Sequence, residues 1–382
     1  GTRLDQPIPV GSTPAVVASE NPPNLIRGVD RDFKTPYMQH WSLDVQKTLD
    51  RKTLVSVGYY GSKGTNLIGI MDINNLAPGD ALTRQCATGT STTPTVPCQA
   101  VSATTNLPVV FTGAAAELIL DQIRPYKGWR GISMLQPRYN SNYHSLQVSA
   151  TRRFAGASQV QLAYTWSKNL TDNQTDRATA PQDSYNIAGE YGRATLDRRH
   201  ITTINYVYEM PWYSKQQGLT GKLLGGWQVS GIVTYQTGLP FTITYGAFDP
   251  AGIGFLNANS PAGGRAYVIS NPNVGGAQTQ QQWFNTAAFL GLPAPTSFAA
   301  LPGTSSRGLV EGPPTFRVDF TLTKNIRFSE SIRVQLRGEA FNVLNRTNFT
   351  TFGTAVTTPG TFGVITGTRD PRVIQLGAKF YF

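Results

Sequence analysis

The final eleven residues, Arg372 to Phe382, restrict the fold more than any other stretch of the chain. Ile374, Leu376, Ala378, Phe380 and Phe382 form one apolar row, and Gln375, Gly377, Lys379 and Tyr381 form a mostly polar one. Side chains alternate between the faces of a strand, so this segment reads as a strand with a different solvent on each side. Its apolar row continues to an aromatic last residue, where a strand of a water-soluble sandwich would seldom finish.

The same alternation recurs along the chain. Trp41, Leu43 and Val45 oppose Ser42, Asp44 and Gln46; after a turn at 49–52, Val55, Val57 and Tyr59 lead to Gly61-Ser62-Lys63-Gly64. Leu146, Val148 and Ala150 turn at Ala155-Gly156 into Val160, Leu162, Tyr164 and Trp166. His200 to Met210 carries Ile204, Tyr206 and Tyr208, stops at Pro211-Trp212, and is followed by Trp227, Val229, Val233 and Tyr235. Phe316, Val318, Phe320 and Leu322 pass through Phe328-Ser329-Glu330 to Ile332, Val334, Leu336 and Ala340. With the terminal strand the count is nine, and the connections alternate strictly between short and long. The long ones are 62–142, 168–198, 237–314 and 343–370, and residues 1–36, with six prolines and no period, read as a further loop. Connections of such length are uncommon unless they have a job.

Charged residues make up 14% of the chain, against roughly 25% in ordinary soluble domains, so little of the surface is built for bulk water. No stretch approaches the roughly 18 to 20 apolar residues of a membrane-spanning helix. A membrane barrel escapes that test, because each strand hides its apolar side in alternation. The fold class is therefore all-β, either a secreted protein or an antiparallel transmembrane β-barrel with long extracellular loops. The net charge of +11 is spread without any Lys/Arg block beyond the pairs and the step Arg198-Arg199-His200, and no nucleic-acid signature surrounds it. Lumen and rim positions near anionic lipid account for it more simply.

Barrels of the outer membrane have short periplasmic turns and long extracellular loops. If Phe382 ends on the periplasmic side, the first strand also runs inward, and the chain begins in an extracellular loop. Bacterial barrels have even strand numbers. Nine strands entering from outside are expected of the C-terminal part of a larger barrel. An open nine-strand sheet would leave an edge of unpaired N–H and C=O groups, each costing several kcal/mol in hydrocarbon.

Several runs resemble those of large TonB-dependent outer-membrane receptors of the Oar-like kind. Thr35-Pro36-Tyr37-Met38-Gln39-His40-Trp41 and Val57-Gly58-Tyr59-Tyr60-Gly61-Ser62-Lys63-Gly64-Thr65 are similar to one such run. Asn142-Tyr143-His144-Ser145-Leu146-Gln147, Tyr164-Thr165-Trp166-Ser167-Lys168, Asp197-Arg198-Arg199-His200 and Gly226-Trp227-Gln228-Val229-Ser230-Gly231 follow in order. Thr237-Gly238-Leu239-Pro240-Phe241 and Glu339-Ala340-Phe341-Asn342-Val343-Leu344-Asn345 complete the set, which spans Thr35 to Phe382. The resemblance implies a non-enzymatic importer without a cofactor: a barrel of about 22 strands, filled by an N-terminal plug and energised through TonB. It also implies that Phe380-Tyr381-Phe382 is the insertion signal met by the barrel-assembly machinery. Oar-like members further carry an N-terminal regulatory-like β domain. These residues match none of the plug, the TonB-contacting segment or that domain, so TonB is expected to act through a plug region outside them. Two other readings stay open: a structural or adhesive surface protein, and a passive porin-like barrel assembled from several copies.

Individual candidates are few. Cys86 and Cys98, with eleven residues between them, can staple the first long loop in an oxidising compartment. Asp319 and Glu339 lie two residues after Arg317 and Arg337; a pair of carboxylates can serve as acid and base, but flanking arginines keep them ionised, and a lumen ladder of ion pairs is the simpler role. Asp172, Asp176 and Asp183 share a polar loop but lack the Gly and final Glu of a calcium loop. His40, His144 and His200 are scattered, so no metal site is expected. Asp197, Arg198 and Arg199 are either a ligand contact at the outer rim or a cluster that fixes the mouth of a strand. Asn345 and Asn348 match glycosylation acceptors by coincidence. Trp41, Tyr164, Trp166, Tyr206, Tyr208, Trp212, Trp227, Tyr235, Phe380 and Phe382 cluster towards strand ends, as girdles at two membrane interfaces would.

Overall fold

A computed structural model describes residues 26–87, 93–112, 119–127, 129, 131–174, 180–246, 248–254, 264–293, 301–329 and 331–382. Nine long strands carry the fold: β1 (Tyr37–Asp50), β2 (Thr53–Asp72), β3 (Ile132–Arg153), β4 (Gln159–Thr171), β5 (His200–Glu209), β6 (Trp227–Gln236), β7 (Thr315–Arg327), β8 (Arg333–Phe341) and β9 (Val373–Tyr381). Each pairs antiparallel with its neighbours in sequence, so the sheet is a simple meander from β1 to β9. Two short pieces join it, Ile26–Val29 running parallel to the start of β3, and Gly192–Arg193 beside the end of β4.

Directly opposed residues of an antiparallel pair share a face, and the register therefore turns nine local alternations into two surfaces. Val229, Leu322, Gly338 and Leu376 stand in one cross-strand row, while Gln228, Thr323, Arg337 and Gly377 stand in the next row on the other face. The apolar face is thus continuous across strands far apart in sequence. Trp41 lies over Gly61 of the neighbouring strand, where a Cβ would come within 2.2 Å of the indole nitrogen. Tyr206 covers Gly231 in the same way, and both rings fill the space a glycine leaves open.

Two strands exceed what alternation alone predicts. Residues 62–72 and 132–142, expected within a loop, are paired strand as far as Asp72 and Ser133. The register shifts between Gly64 and Leu67 and again between Leu67 and Ile68, and Asn66 takes a left-handed φ of 55°. Each slip moves side chains to the opposite face and erases the period of two. Similarly, Ile26–Val29 is strand within the segment expected to be loop, while residues 1–25 lie outside the described residues.

At one end the connections are short. Arg51 and Lys52 form a tight turn in which Asp50 accepts from the Lys52 backbone N–H at 2.7 Å and the Thr53 hydroxyl at 3.1 Å. At the other end lie the four long connections. The sheet stays open: β1 and β9 are its two edges, every residue of β1 is exposed, and Leu376 of β9 is 82% exposed. Among the described residues most of the buried core lies among the long connections, and Ile70, Met71, Ile132 and Tyr139 join it from the outer halves of β2 and β3.

Candidate functional site

The long connections contain many large apolar side chains, and a segment this rich in them must bury them or associate. Among the described residues they bury them in two large clusters, beside a small one of Ala251 and Ile253. The connection between β2 and β3 packs Leu76, Ala81, Phe111, Leu120 and Ile123 around a disulfide between Cys86 and Cys98, whose Cα atoms are 4.9 Å apart. Connections 237–314 and 342–372 share the larger cluster, built on Ile243, Tyr245, Tyr267, Phe284, Phe289 and Phe352. Tyr245 donates to the Leu290 carbonyl at 2.8 Å and Tyr267 to that of Leu301 at 2.7 Å, so neither buried hydroxyl is orphaned. Burial pushes the Tyr245 phenol up to about 12; both groups are neutral donors at any physiological pH.

The two clusters are tied to one another. Phe111–Thr112 pairs antiparallel with Phe248–Asp249, and the Leu76 N–H donates to the Ile253 carbonyl at 3.0 Å. Arg124 lies fully buried, donating to the Asn74 and Gly254 carbonyls at 3.1 Å each and pairing with Asp121 at 2.8 Å.

The connection between β4 and β5 joins through a buried charge. Glu190 is 0% exposed, receives Arg265 at 2.7 Å on one oxygen and Arg307 on the other, and accepts the Gln182 N–H at 3.0 Å. Gln182 in turn bonds the Arg265 N–H and the Gly303 carbonyl, both at 2.9 Å. Burial works to raise the Glu190 carboxyl, but Arg307 and Arg265 more than offset it and hold it below the usual carboxylate range. All four long connections therefore form one cored assembly at one end of the wall.

Asp197, Arg198 and Arg199 lie at its base. Asp197 is buried, accepts the Asn169 N–H at 2.7 Å and pairs with Arg193 at 2.7 Å. Arg198 donates to the Thr237 carbonyl at 2.6 Å. These bonds lash the entry of β5 to the exits of β4 and β6, while Arg199 is only partly buried. Asp172 and Asp183 are each taken up separately, by the Asn140 N–H at 2.6 Å and the Tyr185 N–H at 2.9 Å, and burial raises both carboxyls. Asp176 lies outside the described residues, and among those described no group of three or more His, Cys, Asp or Glu is placed to hold a metal. Arg317 and Asp319 pair at 2.7 Å, and Arg337 and Glu339 approach to 3.5 Å, along the polar face.

Two belts of rings ring the apolar face. Near the long connections stand Trp41, Trp166 and Tyr235, with Tyr59 bonded to His144 at 2.7 Å and Tyr164 to His200 at 2.8 Å. Near the short turns stand Tyr208, Trp212, Phe380 and Phe382, all exposed. Trp227 and Tyr235 lie eight residues apart on one strand, about 26 Å along it at roughly 3.3 Å per residue, on the scale of the hydrocarbon band of a membrane barrel. A polar cavity of about 550 Å³ opens between connections 237–314 and 342–372 above this upper belt, lined by Tyr235, Asn273, Trp283, Glu311 and Arg346.

Sequence reasoning missed Glu190, Arg265 and Arg307, because their pairing joins residues up to 117 apart in the chain. No local signal marked them, since aromatics within 237–314 are little denser than in the chain as a whole.

An antiparallel wall with an apolar face between two aromatic belts defines an outer-membrane β-barrel. The chain belongs to the outer membrane beta barrel domain family, which matches residues 1–375, and its place is the bacterial outer membrane. The outer-membrane transporter YddB of Escherichia coli is similar over 97% of this chain and 36% of that one, at 9% identity and a TM-score of 0.47. The pyoverdine outer-membrane receptor FpvA of Pseudomonas aeruginosa PAO1, solved with pyoverdine, is similar over 91% and 30%, at 11% identity and a TM-score of 0.37. The chain thus spans about a third of the length of these transporters. No curated protein matches it.

Proposed function

We propose that this chain is the C-terminal part of the wall of a TonB-energised, Oar-like outer-membrane receptor of about 22 strands, non-enzymatic, with the long connections outside the cell as its ligand-capturing surface. One observation carries the reading: four connections far apart in sequence are folded into a single assembly with its own cores at one end of the wall. A loop left only to join strands needs no such core, whereas a surface that must hold a ligand in one geometry does. The two free edges, β1 and β9, support further strands between them, because an unpaired edge is costly in hydrocarbon. Asp197 and Arg198 then serve to fix the mouth of the wall, and Arg199 is the member of that group left to meet a ligand. The exposed Phe380 and Phe382 remain the insertion signal for the assembly machinery.

The test is the mass of the native polypeptide in boiled outer-membrane extracts, together with crosslinking to TonB. A species well above the calculated 41.5 kDa that crosslinks to TonB is expected. A species at that mass without the crosslink would replace the importer with a structural or adhesive surface role. Deletion of Phe382 is expected to lower the heat-modifiable fraction recovered from the outer membrane.

A further inference from the structure

The connection between β5 and β6, residues 210–226, lies among the short turns, yet it holds a helix, Gly218–Leu224. Gln216 fixes its approach. This buried residue has φ 50°, and its amide donates to the Asn325 carbonyl at 2.8 Å and accepts the Arg327 N–H at 2.9 Å. The side chain so continues the ladder of β7 where β6 has ended. Lys324 fixes the other end of the helix. It stands in the apolar row between Leu322 and Ile326, and its ammonium donates to the Leu223 carbonyl at 2.8 Å and to that of Gly225. A cation on the lipid-facing side of the wall is thereby satisfied by the negative end of a helix, and the helix is clamped against the outer face.

The clamped helix does not hide its leucines. Leu219 is 86% exposed and Leu223 is 67% exposed. Between them and the wall runs an almost wholly apolar groove of about 890 Å³, floored by Leu322, Leu336 and Leu376 and edged by Phe328. Lys222 stands at its margin with its ammonium 5.3 Å from the Phe328 ring centre. Residues 210–227 contain Lys215 and Lys222 and no carboxylate. The groove floor is continuous with the face this family turns to lipid, and exposed leucines beside Lys222 on a short helix, with Lys215 just before it, are the composition of an interfacial element.

We propose that this groove is a binding site for one anionic glycerophospholipid of the periplasmic leaflet, its acyl chains lying on Leu219, Leu223 and the wall and its phosphate at Lys222. The inference rests on the membrane setting and on the short turns facing the periplasm, and it is independent of TonB coupling. A loss of transport therefore does not bear on it. A lysine near an anionic surface gives a roughly five-fold preference, enough to select a charged headgroup over a zwitterionic one.

The test uses the protein purified from outer membranes in mild detergent, delipidated, and observed by native mass spectrometry with added phosphatidylglycerol or phosphatidylethanolamine. One retained phosphatidylglycerol, favoured about five-fold, is the expected result. Lys222→Gln should abolish the preference, and Leu219→Ser with Leu223→Ser should lower retention at least ten-fold. Both leucines are exposed, so folding is preserved, and Leu196→Ser, at an 80% exposed position on the long-loop side, should change nothing. Equal retention by wild type and both groove variants, or none by the wild type, overturns the proposal. Retention of lipopolysaccharide in place of the phospholipid puts the groove on the wrong leaflet, and a Leu219→Cys disulfide dimer assigns the groove to a second copy; either result also overturns it.

Discussion

The wall and the loop assembly solve the same problem by opposite means. In the wall, each strand carries its own instructions, and neighbours in sequence are neighbours in space. Its apolar side chains stay exposed, Leu43 by 68% and Leu376 by 82%, because lipid is the solvent intended for them. In the assembly, Tyr245, Tyr267 and Val310 are fully buried, and the partners come from connections separated by whole hairpins. Water borders the assembly, so its apolar residues must find one another, and its polar groups must be paired across long sequence distances. A membrane wall therefore tolerates an open surface that a cored loop cannot.

The contrast breaks most sharply at Glu190. Glu190→Ala leaves Arg265 and Arg307 buried without their anion, and removing one partner of such a pair costs about 3–5 kcal/mol. Limited proteolysis should then cut connections 172–199 and 237–314, while heat-modifiable mobility of the wall stays unchanged. Loss of the wall along with the loops would mean that the two regions are not separable.

A somewhat smaller effect is expected at the disulfide. Cys86→Ser with Cys98→Ser should cost about 3 kcal/mol of local order, read as faster hydrogen exchange confined to residues 73–131. Spread of that exchange into connection 237–314 would show that the Phe111–Asp249 pairing depends on the staple.

Gly238 sits where wall and assembly meet, and a Cβ there would lie 1.7 Å from the Gly312 carbonyl oxygen. Gly238→Ala is expected to cost about 1–3 kcal/mol, seen as a lower melting temperature of the assembly. On the wall, Trp41→Ala removes the ring that covers Gly61 of the neighbouring strand, a cross-strand contact worth about 0.2–1 kcal/mol, and should barely shift unfolding.

Acid offers a subtler handle. The Glu190 carboxyl is held below its unfolded value, so its stabilisation is present at neutral pH and is lost as pH falls through the lowered folded value. Asp172 and Asp183, raised by burial, act in the opposite sense, since their protonation relieves a cost. Glu190→Gln should therefore remove the acid-induced protease sensitivity that Glu190 contributes and leave the opposite trend of Asp172 and Asp183, read as protease sensitivity against pH in variant and wild type.

Much of the wall was legible because its information is local. Nine strands, their turns and the alternation of short and long connections all follow from residues two positions apart. Legibility failed where the period failed: the slips around Asn66 hid the outer halves of β2 and β3. Asp197 and Arg198 were legible as a cluster with two candidate roles, but not with their partners, because the Asn169 N–H, Arg193 and the Thr237 carbonyl come from elsewhere in the fold.

Local sequence settles that this protein is a β-wall with two solvents, since a period of two needs only neighbouring side chains and the geometry of an extended backbone. It takes the assembled fold to make its four long connections one body, to make Glu190 the charge holding three of its segments, and to clamp a helix among the short turns to the lipid face through Lys324. Those outcomes depend on burial and on partners brought from distant segments, and desolvation acts on what the fold encloses, not on what stands adjacent in the chain.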